Sequence, residues 1–482
     1  MVTDYIKKIE ENKDEMIGFL QELIRINSVR NEPVTTKTGS IFPFGQGVSD
    51  AFQLVLNKGK DFGFETANID NYGGHIDMGI GEEIVGILGH LDVVPEGDGW
   101  THGPFSGDIA DGKIYGRGTT DDKGPVVASL FAMKALAQCG FEPDKKVRLI
   151  LGLDEETAWN GMHYYLSKVK PPNYGITPDA EFPAINGEKG IITFELAKKF
   201  GKTTVKGLEL RSLKGGSAEN MVPDHARAVI RSIDMSIYVE IKEQITKYRS
   251  DTGSKINVKG IGKSLEITTQ GIAAHGANPQ RGLNAISVMM DFLSHLNFVN
   301  DDINDFIDLY NKYIGFNTNG VNLGCGFCDE PSGELTLNVG IIDLIPEAAT
   351  LTINVRYPVT CTDTQIYDGI MPVINKYNLG IIKLKHKPPI YMAPDSPMIK
   401  ALMSIYQKHT GDTVSKPQVI GGGTYARATP NIVAFGGAFP GDEDLMHQKN
   451  ECIEIDKLMT MTKIYADTIY TLSQKDFSLN EE

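Results

Sequence analysis

Three short apolar runs that stop abruptly at acids or histidine constrain the fold most. They are IVGILGHLD from Ile84, VRLILGLDEE over 147–156 and YGITPDAE over 174–181. Each has the length and continuity of a strand buried on both faces, which is how parallel-sheet strands read. Helical patterns surround them: an amphipathic stretch over 4–29, a second at 48–63 and the almost wholly apolar 125–139. Residues 30–47, rich in Thr, Gly and Pro, read as a loop. Alternation of this kind predicts an α/β layer with a central, mostly parallel sheet flanked by helices.

Sites in such sheets form beyond the carboxyl ends of the strands. Four polar clusters fall in this region: His90-Leu91-Asp92, Asp121-Asp122, Asp154-Glu155-Glu156, and Asp179 with Glu181. Neighbouring strands lie roughly 5 Å apart, so three strands ending this way crowd several carboxylates into one crevice. Crowding is costly unless a cation neutralises it. The imidazole of His90 suits a divalent transition metal better than calcium or magnesium. Taken singly, each cluster has a plainer reading. A strand-end acid commonly caps a helix or turns the chain, and GRGTTDDKGP has the composition of a turn. Coincidence of order, spacing and placement sets them apart.

The balance of 47 basic against 62 acidic residues leaves a formal charge of −15 over 482 residues. Such a chain gains little from a nucleic acid or an anionic membrane surface, so neither is expected as a partner. No apolar run approaches the length of a membrane span, and the N-terminus has no signal-like core. Five scattered cysteines do not make a disulfide framework, and Cys325-Gly-Phe-Cys328 has no second ligand pair, so both read as structural thiols. A soluble cytoplasmic protein is the expectation.

After about residue 188 the texture changes to alternating strands interrupted by helical stretches near 236–250 and 283–298. It returns to α/β from about 388, with a helix near 397–409 and a strand at 431–437. Residues 1–188 and 388–482 therefore read as one discontinuous domain, and 189–387 as an inserted α+β domain.

The motifs GHLDVVPEGDGW, GRGTTDDKGP, GLDEET, PDAEFP and MHQKNE together resemble the M20 family of di-metal peptidases, and most of all its PepV-type (Xaa-His, carnosinase-like) bacterial dipeptidases. The resemblance runs from the N-terminal helix to the last histidine motif. It implies that His90 and Asp179 bind one metal, that Glu156 and His447 bind a second, and that Asp121 bridges both. Three carboxylates against two divalent cations leave one positive charge, which a bridging hydroxide would offset. Zinc leads among the cofactors implied, with manganese or cobalt as other fits. Asp92 is expected to hold the ring of His90, Glu155 to act as general base, and the Asp121–Asp122 peptide to be cis.

Within the inserted domain, read by the resemblance as a lid, His275 is expected to stabilise the oxyanion. Asn220, Arg356 and the glycines Gly422 and Gly423 are expected to line the substrate cleft, with Arg356 taking a substrate carboxylate. Without the resemblance His275 reads as a surface or capping histidine, and Arg356 as a surface arginine on a strand. The implied reaction is hydrolysis of an unblocked dipeptide or short peptide by a monomer. An M20-type amidohydrolase or carboxypeptidase acting on N-acyl amino acids is the alternative the motifs leave open. A catalytically silent metal- or peptide-binding protein is a third reading, and the presence of every ligand position speaks against it.

Overall fold

The computed structural model describes residues 4–479. The chain divides into two compact units. Unit 1 runs to Asn186 and takes in Met392–Gln418 and the residues from Gly423 onward; unit 2 is Gly187–Tyr391 with Val419–Gly422.

Unit 1 has the α/β architecture that the apolar runs predict. Six neighbouring strands of its main sheet follow the order Ile432–Ala434, Tyr174–Thr177, Ile84–His90, Lys146–Gly152, Gly73–Met78, Glu65–Ile69. The first four strands are mutually parallel, Gly73–Met78 is antiparallel to Lys146–Gly152, and Glu65–Ile69 is antiparallel to Gly73–Met78. Every residue of Gly73–Met78 and Ile84–His90 is buried; Ile84–His90 accordingly runs without polar alternation, while Gly73–Met78 buries His75 and Asp77 among its apolar residues. The helix Lys123–Gln138 is buried along nearly its whole length and packs against the final helix Ile455–Leu472.

The stretch 4–29 is two helices, Tyr5–Glu11 and Lys13–Ile24, separated at Asn12. The Asn12 side chain donates to Gln138 Oε1 at 2.8 Å, a tertiary bond that the periodicity does not encode. The loop at 30–47 carries a small hairpin of Val34–Thr35 with Ile41–Phe42.

One buried ion pair crosses the sheet. Arg148 Nε and Nη2 donate to the two oxygens of Asp77, each at 2.7 Å, between directly paired residues of adjacent strands. Lys146 Nζ lies 3.4 Å from Asp77 Oδ2 as well, so it is removal of Asp77 that strands the buried Arg148 charge, at a cost of about 3–5 kcal/mol. Asp77→Leu should lower the free energy of chemical denaturation by about that much, while Asp77→Leu/Arg148→Met together should cost clearly less. Equal losses in both variants would show that the pair is not what holds this edge of the sheet.

Unit 2 is built on an eight-stranded sheet whose neighbours are all antiparallel. Its order is Lys255–Ile261, Ser264–Gln270, His225–Arg231, Glu209–Gly215, Thr336–Ile345, Ala348–Tyr357, Gly190–Lys199, Gly380–Lys387. Helices Ile237–Thr252, Ala285–Leu293, Asp301–Tyr313 and Asp363–Tyr377 contribute buried apolar residues to its core.

Candidate active site

Three parallel strands of unit 1 deliver their last residues side by side. His90 ends its strand opposite Gly152, the residue that ends the neighbouring one. Asp154, Glu155 and Glu156 follow Gly152, while Asp179 follows the strand Tyr174–Thr177. Asp121 comes from the loop ahead of the buried helix Lys123–Gln138, and its peptide bond to Asp122 is cis. His447 comes from the segment before Cys452–Glu454.

These side chains meet. His90 Nε2 lies 2.9 Å from Asp121 Oδ1 and 3.8 Å from Asp179 Oδ1. His447 Nε2 lies 3.0 Å from Asp121 Oδ2 and 3.0 Å from Glu156 Oε1. Asp121 thus turns one oxygen to each histidine. Ligand atoms of His90, Asp121 and Glu156 all fall within 4.8 Å of one another, as do those of His90, Glu155 and Asp179. His90 is fully buried and Asp121 is 7% exposed, whereas His447 is about half exposed at its side chain.

Crowding sets the electrostatics. Burial, and then the charge of Asp179, push the Glu155 carboxyl well above its ordinary pKa. Burial and Asp121 raise Glu156 to about 7, and the same two causes raise Asp179. Burial works against ionisation of Asp121 as well, but hydrogen bonds from His447 and His90 outweigh it and hold this carboxyl far below its usual range. Hydrogen bonds to Asp121 and Glu156 hold the His447 imidazole up at about 11. Four carboxylates and two imidazoles share one small volume, and three of those acids resist ionisation, in part because of their charged neighbours. A donor set of this kind fits divalent cations, which relieve the repulsion and use oxygen and imidazole ligands together.

Asp92 is expected to hold the ring of His90, but its carboxylate is bonded elsewhere. The ring Nδ1 of His90 lies 3.0 Å from the backbone oxygen of Asp92 and 3.5 Å from its carboxylate Oδ1. The Asp92 carboxylate accepts instead from the backbone amides of Glu155 and Glu156, each at 3.1 Å. It therefore fixes the turn that presents both glutamates. Asp154 supports the same turn from the other side by accepting from the amides of Asn160 and Gly161 at 2.8 and 2.9 Å. The Trp159 indole donates to Glu155 O at 2.8 Å.

Sequence reasoning passed over several of these groups. Asp122 Oδ2 accepts from the His90 amide at 3.1 Å. Tyr425, fully buried, sets its ring edge-on to His90 with centroids 6.3 Å apart, and only glycine at 152 leaves room for its hydroxyl. Asp122 stands inside a motif already quoted and Tyr425 outside all of them, and spacing alone assigns neither a partner.

The remaining candidates lie in unit 2 or at its margin. Met221, next to Asn220, bridges to His275, and the amide of Gly276 donates to Asn220 O at 2.6 Å. His275 Nδ1 accepts from the Ala277 amide at 3.2 Å. Arg356 donates through Nε to Asn354 Oδ1 at 3.0 Å and through Nη1 to Gly421 O at 2.9 Å. Gly421 packs on Ala277, where a side chain would meet Ala277 Cβ at 2.9 Å. Unit 2 thus joins Asn220, His275, Gly421 and Arg356 through adjacent contacts. Gly422 follows within unit 2, and Gly423 resumes unit 1.

Buried donors for divalent cations with a further carboxylate beside them equip a metal-dependent hydrolase. The chain belongs to peptidase family M20/M25/M40, whose match runs over residues 86–471. It is 37% identical to "Putative dipeptidase" of Staphylococcus epidermidis (strain ATCC 12228 / FDA PCI 1200), over 98% of this chain and 99% of that one. It is also 37% identical to "Putative dipeptidase YtjP" of Bacillus subtilis (strain 168), over 97% of this chain and 99% of the relative. Among solved structures, the dipeptidase Dug1p of Saccharomyces cerevisiae shares the fold, with a TM-score of 0.55 at 14% identity over 99% of each chain. The protein is thus a hydrolase of the metallopeptidase class, and membership implies divalent metal. Among the described residues no helix is long and apolar enough to cross a membrane.

Proposed function

We propose that this protein hydrolyses unblocked dipeptides and short peptides at a site that holds two divalent cations. The observation that carries the reading is the convergence of His90, Asp121, Glu156, Asp179 and His447, with the Glu155 carboxylate beside them. The two relatives at 37% identity, both named as dipeptidases, support the choice of substrate class. His90 and Asp179 would hold one cation, Glu156 and His447 the other, and Asp121 both. Zinc is the proposed metal, with manganese and cobalt as other fits to imidazole and carboxylate ligands.

Bound cations supply Lewis-acid polarisation of the scissile carbonyl and lower the pKa of a water. Glu155 takes a proton from the attacking water onto its carboxylate and later passes it to the departing amine nitrogen. Asp92 keeps Glu155 and Glu156 aimed through their amides. His275 donates a hydrogen bond to the developing oxyanion. Asn220 and the backbone at Gly422 and Gly423 line the substrate, and Arg356 meets its terminal carboxylate. The enzyme is proposed to act as a cytoplasmic monomer, in keeping with cysteines that are all unpaired.

A dipeptide with a free amino terminus and its N-acetylated form, assayed side by side with added zinc, test the substrate class. Faster cleavage of the free-amine form is expected. Preference for the acetylated form would replace this reading with that of an N-acyl amino acid hydrolase, whose chemistry the same ligands serve.

A further inference from the structure

Four residues beyond His447 lies a carboxylate that the reaction above does not use. Glu451 is fully buried, and its partner Arg117 is 1% exposed. Glu451 Oε2 accepts from Arg117 Nη1 at 2.7 Å. Its other oxygen accepts from three backbone amides of a single loop: Gly118 at 3.0 Å, Thr120 at 2.9 Å and Asp121 at 3.2 Å. The main chain repeats the connection, since the Gly116 amide donates to Glu451 O at 2.9 Å and Thr120 Oγ1 to Cys452 O at 3.2 Å. Arg117 extends it. Its Nη1 also donates to Gln448 O at 3.2 Å, and its guanidinium carbon stands 5.3 Å from the Trp100 ring centroid, in the loop that follows His90 and Asp92.

An isolated buried ion pair is seldom a net source of stability, because desolvation offsets the attraction. Burial this deep calls for a different reason, and the bonding pattern supplies one. None of the Glu451 side-chain bonds goes to a strand or helix of the core; each goes to the Asp121 loop or to Arg117. The segment on the other side of the clamp also needs holding. His447 and Asn450 have φ of 62° and 61°, in the left-handed region that costs a non-glycine residue about 1 kcal/mol. Asn450 is tied in turn by its side-chain oxygen, which accepts from the Thr101 amide at 2.7 Å.

From these contacts we infer that Glu451 is a positioning residue, which holds the backbone of Asp121 in register with His447 so that the two present their ligand atoms to cations together, with Arg117 as its charge partner. The inference rests on the reading of Asp121 and His447 as metal ligands. Glu451 touches no substrate and no reacting atom in this scheme. Its loss acts on occupancy of the site and leaves the chemical step of the loaded enzyme alone.

The test is calorimetric titration of metal-free protein with zinc, beside far-ultraviolet melting of the same samples. Glu451→Gln keeps the volume and one acceptor oxygen but loses the charge. It should fold, melt as a single species and bind zinc about 10–100-fold more weakly, the range typical when a group supporting a ligand is removed. At saturating zinc its KM for a dipeptide should match that of the parent and its kcat should recover most of the lost activity. Arg117→Lys, which keeps a cation but gives up the guanidinium fork, should weaken zinc in the same direction by a smaller factor. It carries the test if the Gln variant does not fold. Parental zinc affinity in whichever variants fold overturns the proposal, as does a kcat deficit that saturating zinc does not repair. Asp121→Asn is titrated alongside. If it binds zinc like the parent, the metal-ligand reading fails and this proposal falls with it. If it loses zinc while the Glu451 and Arg117 variants do not, this proposal alone fails.

Discussion

Glu155→Ala is expected to lower dipeptide turnover by about 10²–10⁴-fold, the range for removal of a general base or acid. Its zinc content should stay at the parental level. The second measurement matters because the Glu155 carboxylate lies among the ligand atoms of His90 and Asp179, so position alone would also allow it to be a ligand. The two roles separate cleanly. A ligand variant loses zinc, and excess zinc restores part of its activity; a base variant keeps zinc and stays slow at any concentration. Glu155→Gln sharpens the contrast, since the amide keeps shape and polarity but cannot take up a proton. Loss of zinc in either variant, with recovery on adding more, would move Glu155 from the base to the ligand set. The turn that carries it is held through Asp92, Asp154 and Trp159 rather than through its own carboxylate. The truncation should therefore leave the fold intact.

The second large effect belongs to Asp121. Its two oxygens address His90 at 2.9 Å and His447 at 3.0 Å, so this one carboxylate joins both histidines of the cluster. Asp121→Ala is expected to lower zinc stoichiometry and to cut turnover by about 10³-fold or more, because polarisation by a cation contributes several kcal/mol and each ~1.4 kcal/mol is a factor of ten. Chelation of the parent enzyme should reproduce the loss, and metal re-addition should reverse it in the parent but not in the variant. A variant that regains parental turnover with added zinc would show that Asp121 is dispensable as a shared ligand. A chelated parent that stays active would overturn the metal-dependent reading altogether.

The α/β layer was readable because its central strands carry unbroken apolar runs, and the donors at their ends were readable because the runs stop there. His90, Glu156 and Asp179 are of this kind. His447 is not: no strand run precedes it, and only the resemblance of MHQKNE to a known motif singled it out. Asp92 shows a subtler limit. Its spacing from His90 places both side chains on one side, yet the ring is nearer the backbone oxygen, and the carboxylate goes to amides more than sixty residues away in sequence. Such pairings depend on how strands 84–90 and 146–152 lie in register. The helices Asp301–Tyr313 and Asp363–Tyr377 were passed over, although Ile303, Phe306, Ile307 and Tyr310 keep helical spacing on a buried face. The strand Gly380–Lys387 was hidden by its lysines and by exposure along most of its length, as befits a sheet edge.

The discontinuity of unit 1 bears on how the protein is made. The donors of the cluster are spread from His90 to His447, and the buried helix Lys123–Gln138 finds its main partner in Ile455–Leu472, beyond the inserted unit. A nascent polypeptide that has emerged only as far as the inserted unit still lacks one imidazole and one wall of the core. Assembly of this unit therefore waits on segments that lie far apart in sequence.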